Sequence, residues 1–117
     1  MILLALTEGG FRHKPYFPIF AHIAGSVSGA VLLSHFCHIS DEHRGDWFCV
    51  TREDLTLLTG LTRSEQERSR KNLVGLGIIS EKRVGVPARM HYRLNEFALL
   101  TAAEKISKRL LQEHRDD

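Results

Sequence analysis

Cysteine and long apolar runs are scarce in this chain, and each shortage closes a class of answers. Two cysteines, Cys37 and Cys49, in 117 residues cannot build the disulfide framework of a small secreted scaffold. No apolar run approaches the roughly 18 residues that a membrane-spanning helix requires. The opening Met1–Leu6 is apolar but has neither a basic lead-in nor a small-residue cleavage site, so it does not read as a signal peptide. Internal repeats, low-complexity tracts and Ser/Gly linkers are missing, which leaves a single domain over 1–117. Also missing are a Gly-rich phosphate loop, a nucleophile elbow and a metalloprotease helix, and Asp41, Glu42 and Asp46 read as loop solvation. The chain is therefore not expected to be an enzyme and needs no cofactor. With 43% hydrophobic and 26% charged residues it is neither disordered nor fibrous, and a soluble, reduced, cytoplasmic protein is expected.

The net charge of +2 argues for nothing by itself, but its distribution does. Between Leu61 and Leu94 stand eight basic residues (Arg63, Arg68, Arg70, Lys71, Lys82, Arg83, Arg89, Arg93) against three acids (Glu65, Glu67, Glu81), a local excess of +5. The rest of the chain is net −3. One basic third is expected to hold the partner-facing surface.

The elements follow from punctuation and periodicity. Residues 1–14 read as a short strand or ordered arm, closed by Gly9-Gly10. Pro15 and Pro18 suit the opening turn of a short helix through Ala24, where proline's missing amide has no helical partner. Gly25 ends that helix and Ser26 caps a second, through about Ile39, with Val27, Ala30, Val31 and Phe36 in a broad apolar stripe. Gly25 and Gly29 are expected to allow close backbone packing. Asp41–Asp46 is a polar loop, and 47–50 a short β-prone run that completes a helical layer over 15–50.

Two helix starts follow, each with its own cap. Thr51 stands three before Asp54, and Thr62 three before Glu65, so each hydroxyl can accept from a first-turn amide while the acid favours the positive helix end. The first helix stops at Gly60 and the second, ending near Leu76, at Gly77. Helix, glycine turn and helix over 51–76 make a helix-turn-helix. Next come Ile78–Arg83, a Val84-Gly85-Val86-Pro87 tip and Ala88–Leu94, where Met90, Tyr92 and Leu94 alternate with Arg89, His91 and Arg93. That is a hairpin over 78–94 with one buried and one basic face, the wing of a winged helix. Asn95 caps a last helix over 95–117, with Leu99, Ala102, Ile106 and Leu110 on one sticky face. The fold expected is mainly α with a small β-hairpin wing: a winged helix-turn-helix with extra N-terminal helices and a C-terminal helix.

On a helical wheel of 62–76, Leu73 and Leu76 point inward with Gln66 and Ser69. Ser64, Glu67, Arg68 and Lys71 point outward, with Arg63 and Arg70 on one shoulder. The second helix of a helix-turn-helix enters the major groove. Arg63 or Arg68 suits a bidentate contact to guanine, and Ser64 and Glu67 suit a neighbouring base. Lys71, Arg83 and Arg89 suit phosphates, with Arg89 placed along the minor groove. Double-stranded DNA is the expected partner. The plainer alternatives are a solvated face of side-chain pairs, or a protein-interaction module. Gln66 and Ser69 require either a helix set high on the domain or bonds to the preceding helix.

Rival constellations are weaker. His35 and His38 could share one ion, but Cys37 projects to another side and no Cys-x-x-Cys knuckle exists, so no metal site is assigned and the cysteines read as small core residues. The terminal helix carries Lys105, Lys108, Arg109 and Arg115, yet Glu96, Glu104, Glu113, Asp116 and Asp117 would oppose an anionic membrane. It is expected to pack on its own domain or on a second copy, giving a homodimer with recognition helices about one DNA turn apart.

The runs FPIFAHIAGSVSGAVLLSHF, DWFCVT, TGLTRSEQERSRKNLVGLGIISEKR and GVPARMHYRLN, between Tyr16 and Leu100, resemble winged-helix proteins of bacterial phages, plasmids and integrated elements. GLTRSEQERSRKNL followed by GVPAR carries the resemblance most specifically. Similar domains open replication-initiation proteins and replisome organisers. The likeness implies that Arg63, Glu67, Arg68 and Lys71 sit on the recognition helix, and Val86, Pro87 and Arg89 at the wing. It implies replication control or transcriptional regulation; the chain departs from the replication proteins in ending at Asp117 without their second domain, which leaves a stand-alone DNA binder or regulator equally open, and a ligand-responsive regulator is a third reading.

Overall fold

The computed structural model describes residues 1–8 and 16–116. The chain is mainly helical with a small antiparallel sheet: α1 (Ile2–Glu8), α2 (Pro18–Ala24), α3 (Val27–Glu42), β1 (Phe48–Cys49), α4 (Arg52–Thr59), α5 (Arg63–Gly75), β2 (Ile79–Val84), β3 (Arg89–Leu94) and α6 (Glu96–Asp116). The first element corrects the expectation of a strand or arm. Ile2–Glu8 is rich in leucine and alanine, whose helix propensity is high, and β-branched residues stand only at its two ends. Gly9, Gly10 and Pro15 lie outside the described residues.

Pro18 takes the first helical position of α2, and Gly25 closes it in the left-handed conformation at φ 79°. Ser26 then caps α3, its Oγ accepting from the Gly29 amide at 2.9 Å. The two glycines do different work. Gly25 supplies a backbone conformation, whereas a Cβ on Gly29 would lie 2.6 Å from that of Ala24, so only Gly29 allows the close approach. α3 also runs past Ile39 to Glu42, absorbing two residues of the expected loop. Nothing interrupts it before Arg44 and Gly45, which turn left-handed at φ 54° and 80°.

α3 forms the centre of the core. Ala30, Leu32, Leu33 and Phe36 are wholly buried, between α2 and Leu73 of α5 on one side and the sheet on the other. Phe36 meets Phe48 at 5.6 Å and Tyr92 at 5.1 Å between ring centroids, which ties helix to sheet. The strand order is β1-β3-β2, with every pair antiparallel. Ile79 pairs with Leu94 and Val84 with Arg89, and the turn between them contains Gly85 at φ 96° and a cis Val86–Pro87 bond.

Asn95 Oδ1 accepts from the Ala98 amide at 3.1 Å and starts α6. Leu99 is buried, and Ala102 and Ile106 pack partly against the core, where α6 meets α2. No single helix among the described residues is long and apolar enough to cross a membrane. α2 and α3 reach that length only together, and they are bent by 110° at the Gly25–Ser26 break.

Candidate nucleic-acid interface

α4 and α5 carry reciprocal caps at both starts. Thr51 Oγ1 accepts from the Asp54 amide at 3.0 Å while Asp54 accepts from the Thr51 amide at 3.3 Å. In α5, Thr62 Oγ1 accepts from the Glu65 amide at 3.2 Å and Glu65 Oε1 accepts from the Thr62 amide at 2.9 Å. Between them Gly60 adopts φ 74°, and the Gly60 amide donates to the Thr56 carbonyl. Glu65 also reaches the central helix. Its Oε2 accepts from Ser28 Oγ of α3 at 3.1 Å, which anchors the start of α5. The Thr62 amide, then the Thr62 and Ser28 hydroxyls, hold its carboxyl below the usual range.

The far end of α5 is tied down as well. The Asn72 side-chain amide donates to the Ala24 carbonyl at the end of α2. On the inward face Leu73 is fully buried. Gln66 is buried and donates from Nε2 to Thr56 Oγ1 at 2.8 Å and to the Leu61 carbonyl at 3.1 Å. Of the two expected explanations for its polarity, bonding to the preceding helix and turn is the one observed. Ser69 Oγ is buried without a hydrogen-bond partner. Leu76 departs from the wheel: it caps the helix and is 51% exposed.

Arg63, Ser64, Arg68 and Lys71 are exposed along the outward side of α5. Glu67 lies among them and pairs with Lys71, Oε1 to Nζ 3.2 Å. Lys71, then Arg52 and Arg70, hold the Glu67 carboxyl below its usual range. Arg70 is committed elsewhere: its guanidinium donates to the Tyr92 hydroxyl at 3.3 Å and pairs with Glu81 at 3.6 Å. Burial opposes its charge, but Tyr92, Glu81 and Glu67 outweigh that and raise its pKa. Arg70 thus fastens the hairpin to α5.

Strand alternation divides the hairpin's basic residues between two faces. Arg83 shares the face of Glu81, the one turned toward α5 and Arg70. Lys82, Arg89, His91 and Arg93 share the other, with Cys49 beside them on β1. The basic third is therefore not one surface: Arg63, Arg68, Lys71 and Arg83 are grouped about α5, while Arg89 stands near the tip on the opposite face.

Arg52 was not among the residues singled out from the sequence. It opens α4 and, with Arg63, Glu67 and Arg70, rims a narrow cleft floored by Leu32, Leu55 and Tyr92. The signal was a cation in a helix's first turn, which the helix dipole disfavours. Of the metal candidates, His35 is buried, whereas His38 is exposed and pairs with Glu42 at 3.1 Å. No group of three or more His, Cys, Asp or Glu side chains able to hold a metal occurs among the described residues. The cysteines are not alike. Cys37 is half-buried with its thiol pushed up to about 11 by burial and then by Asp41 and Glu96, but Cys49 is exposed, contrary to a core role, because Phe48 takes the inward position of β1. No protein-family model, curated protein or solved structure matches the chain.

Proposed function

We propose that the chain is a winged-helix protein that binds double-stranded DNA with sequence direction, in replication control or transcriptional regulation of a mobile genetic element. The observation that carries this reading is the outward side of α5, where Arg63, Ser64, Arg68 and Lys71 are exposed on a helix held at both ends. In the proposed complex α5 enters the major groove. Arg63 or Arg68 meets a guanine edge in bidentate fashion, and Ser64 and Glu67 meet an adjacent base. Lys71 and Arg83 contact phosphates, with Arg52 beside them, and Arg89 at the hairpin tip reaches the minor groove. The role is that of a cytoplasmic binder and not of an enzyme, and it draws on no cofactor.

The proposed assembly is a homodimer through α6. The face predicted to be sticky is partly used within the domain, where Leu99 is buried. Other residues support the dimer: Phe97, Leu100 and Leu111 are 81%, 68% and 58% exposed. A two-fold dimer would set two α5 helices on an inverted repeat. The same exposed apolar residues, interrupted by the Glu104–Lys108 ion pair, favour the second reading, a protein-interaction module.

The double substitution Arg68→Ala/Lys71→Ala separates the two. Fluorescence anisotropy with labelled duplex is expected to show at least a tenfold loss of affinity, with far-UV circular dichroism unchanged. Unchanged affinity in a folded variant would remove α5 as the DNA-contacting element.

A further inference from the structure

The outer face of the sheet is a second basic surface, separate from α5. Ser80, Lys82, Arg89 and Arg93 are exposed on it, and β1 contributes Cys49 with Trp47 just before. Residues two apart on one strand lie about 7 Å from each other, so Arg89, His91 and Arg93 form an evenly spaced row along β3. No acid of the hairpin shares this face, since Glu81 is turned to Arg70. The nearest acids are at its margin: Asp46, which accepts from the Trp47 amide at 2.8 Å, and Glu96. Arg93 Nε donates to the Gly45 carbonyl at 3.3 Å. Beyond it the surface continues into a polar groove of about 470 Å³ lined by Arg44, Ser80, Arg93, Asn95 and the acid Glu96.

Trp47 gives this surface its chemistry. The only tryptophan of the chain is half-buried at the sheet edge, and Lys82 reaches across β3 to place its ammonium 4.0 Å from the ring centroid. An aromatic ring among cations on an open sheet is the arrangement that binds unpaired nucleic acid: cations follow the backbone, and a base stacks on the ring. Duplex DNA fits poorly, because its bases are already stacked and its major groove admits a helix or a two-stranded ribbon, not a three-stranded face.

We infer that the outer sheet face, built from Trp47, Lys82, His91 and Arg93, is a binding surface for single-stranded DNA. Trp47 is the stacking platform, and Lys82 moves from the ring to a phosphate when a base arrives. This goes beyond duplex binding by α5 and does not depend on it.

Trp47 fluorescence in the intact chain, titrated with a short oligo-deoxythymidine at low salt, tests the inference. Quenching is expected, with a slope of log affinity on log salt of about −1.4 for Lys82 and Arg93 together, at about −0.7 per phosphate. Lys82→Ala/Arg93→Ala should lower affinity about tenfold or more while duplex binding is retained. Lys82→Ala alone, which leaves the Arg93–Gly45 bond in place, should give part of that loss. Arg68→Ala/Lys71→Ala should leave oligo-deoxythymidine binding intact. By anisotropy of a labelled oligonucleotide, Trp47→Leu should weaken binding about tenfold and Trp47→Phe less. Absence of quenching would overturn the inference. So would equal quenching by a duplex, or loss of single-strand binding in the α5 variant rather than the sheet variants.

Discussion

Substituting alanine for glycine in a helix should stabilise at one position of this chain and destabilise at another. At Gly75, in the last turn of α5, a new Cβ meets nothing within 4 Å. Gly75→Ala then brings only its helix propensity and the reduced freedom of the unfolded chain, about 0.5–1 kcal/mol. At Gly29, in the first turn of α3, the Cβ would stand 2.6 Å from Ala24 Cβ and 3.1 Å from the capping Ser26 Oγ. Carbon atoms rest about 3.5–4.0 Å apart, so α2 or α3 must shift by about an ångström. Overpacking costs about 1–3 kcal/mol and a 2.6 Å approach sits in the upper part of that range, about 2–3 kcal/mol, so against a propensity gain of up to about 1 kcal/mol the clash wins by about 1–2 kcal/mol. At roughly 4 °C per kcal/mol, thermal melts should show Tm lowered by about 4–8 °C for Gly29→Ala and raised by about 2–4 °C for Gly75→Ala. Ala24→Gly added to Gly29→Ala should recover part of the loss. The effect also bears on the site, because Asn72 of α5 is bonded to the Ala24 carbonyl. Two shifts of the same sign would refute the close approach at the α2–α3 corner.

Three further outcomes are expected. Thr62→Ala should cost about 1 kcal/mol in urea denaturation, since Thr62 Oγ1 caps α5 through the Glu65 amide. Glu65 has a folded-state pKa below its ordinary value, so its contribution is present above the ordinary carboxylate range and is lost as pH falls through the folded pKa; Glu65→Gln should flatten the acid limb of a stability–pH curve. With a thiol-reactive dye at pH 8, exposed Cys49 should label quickly and Cys37, with its thiol pushed up to about 11, slowly.

The local grammar of the chain is legible in its residues alone. Ser26, the Thr51/Asp54 and Thr62/Glu65 pairs, Asn95, and the stops at Gly25, Gly60 and Gly77 are caps and turns set by a few neighbouring atoms. The alternation of Met90, Tyr92 and Leu94 with Arg89, His91 and Arg93 matches the observed sides of β3. What the sequence does not disclose depends on tertiary distance or on weak signals. A run such as Ile2–Thr7 is too short for periodicity to separate strand from helix. The end of α3 escapes a local reading because Asp41 and Glu42 suit a loop and a helix terminus equally well. The eight basic residues between Leu61 and Leu94 fall on two faces, since register and the Arg70–Tyr92–Glu81 contacts decide which side each takes. The Trp47–Lys82 contact spans 35 positions and crosses a strand, so no local pattern announces it.

The central claim is that α5 and the hairpin lie on DNA, and the salt dependence of binding to random-sequence duplex tests it most directly. Lys71, Arg83 and Arg52 are the exposed cations about α5 that are placed on phosphates. At about −0.9 per phosphate neutralised, they predict a slope of about −2.7 in log affinity against log salt. A flat response, with no binding near physiological salt, would contradict the account.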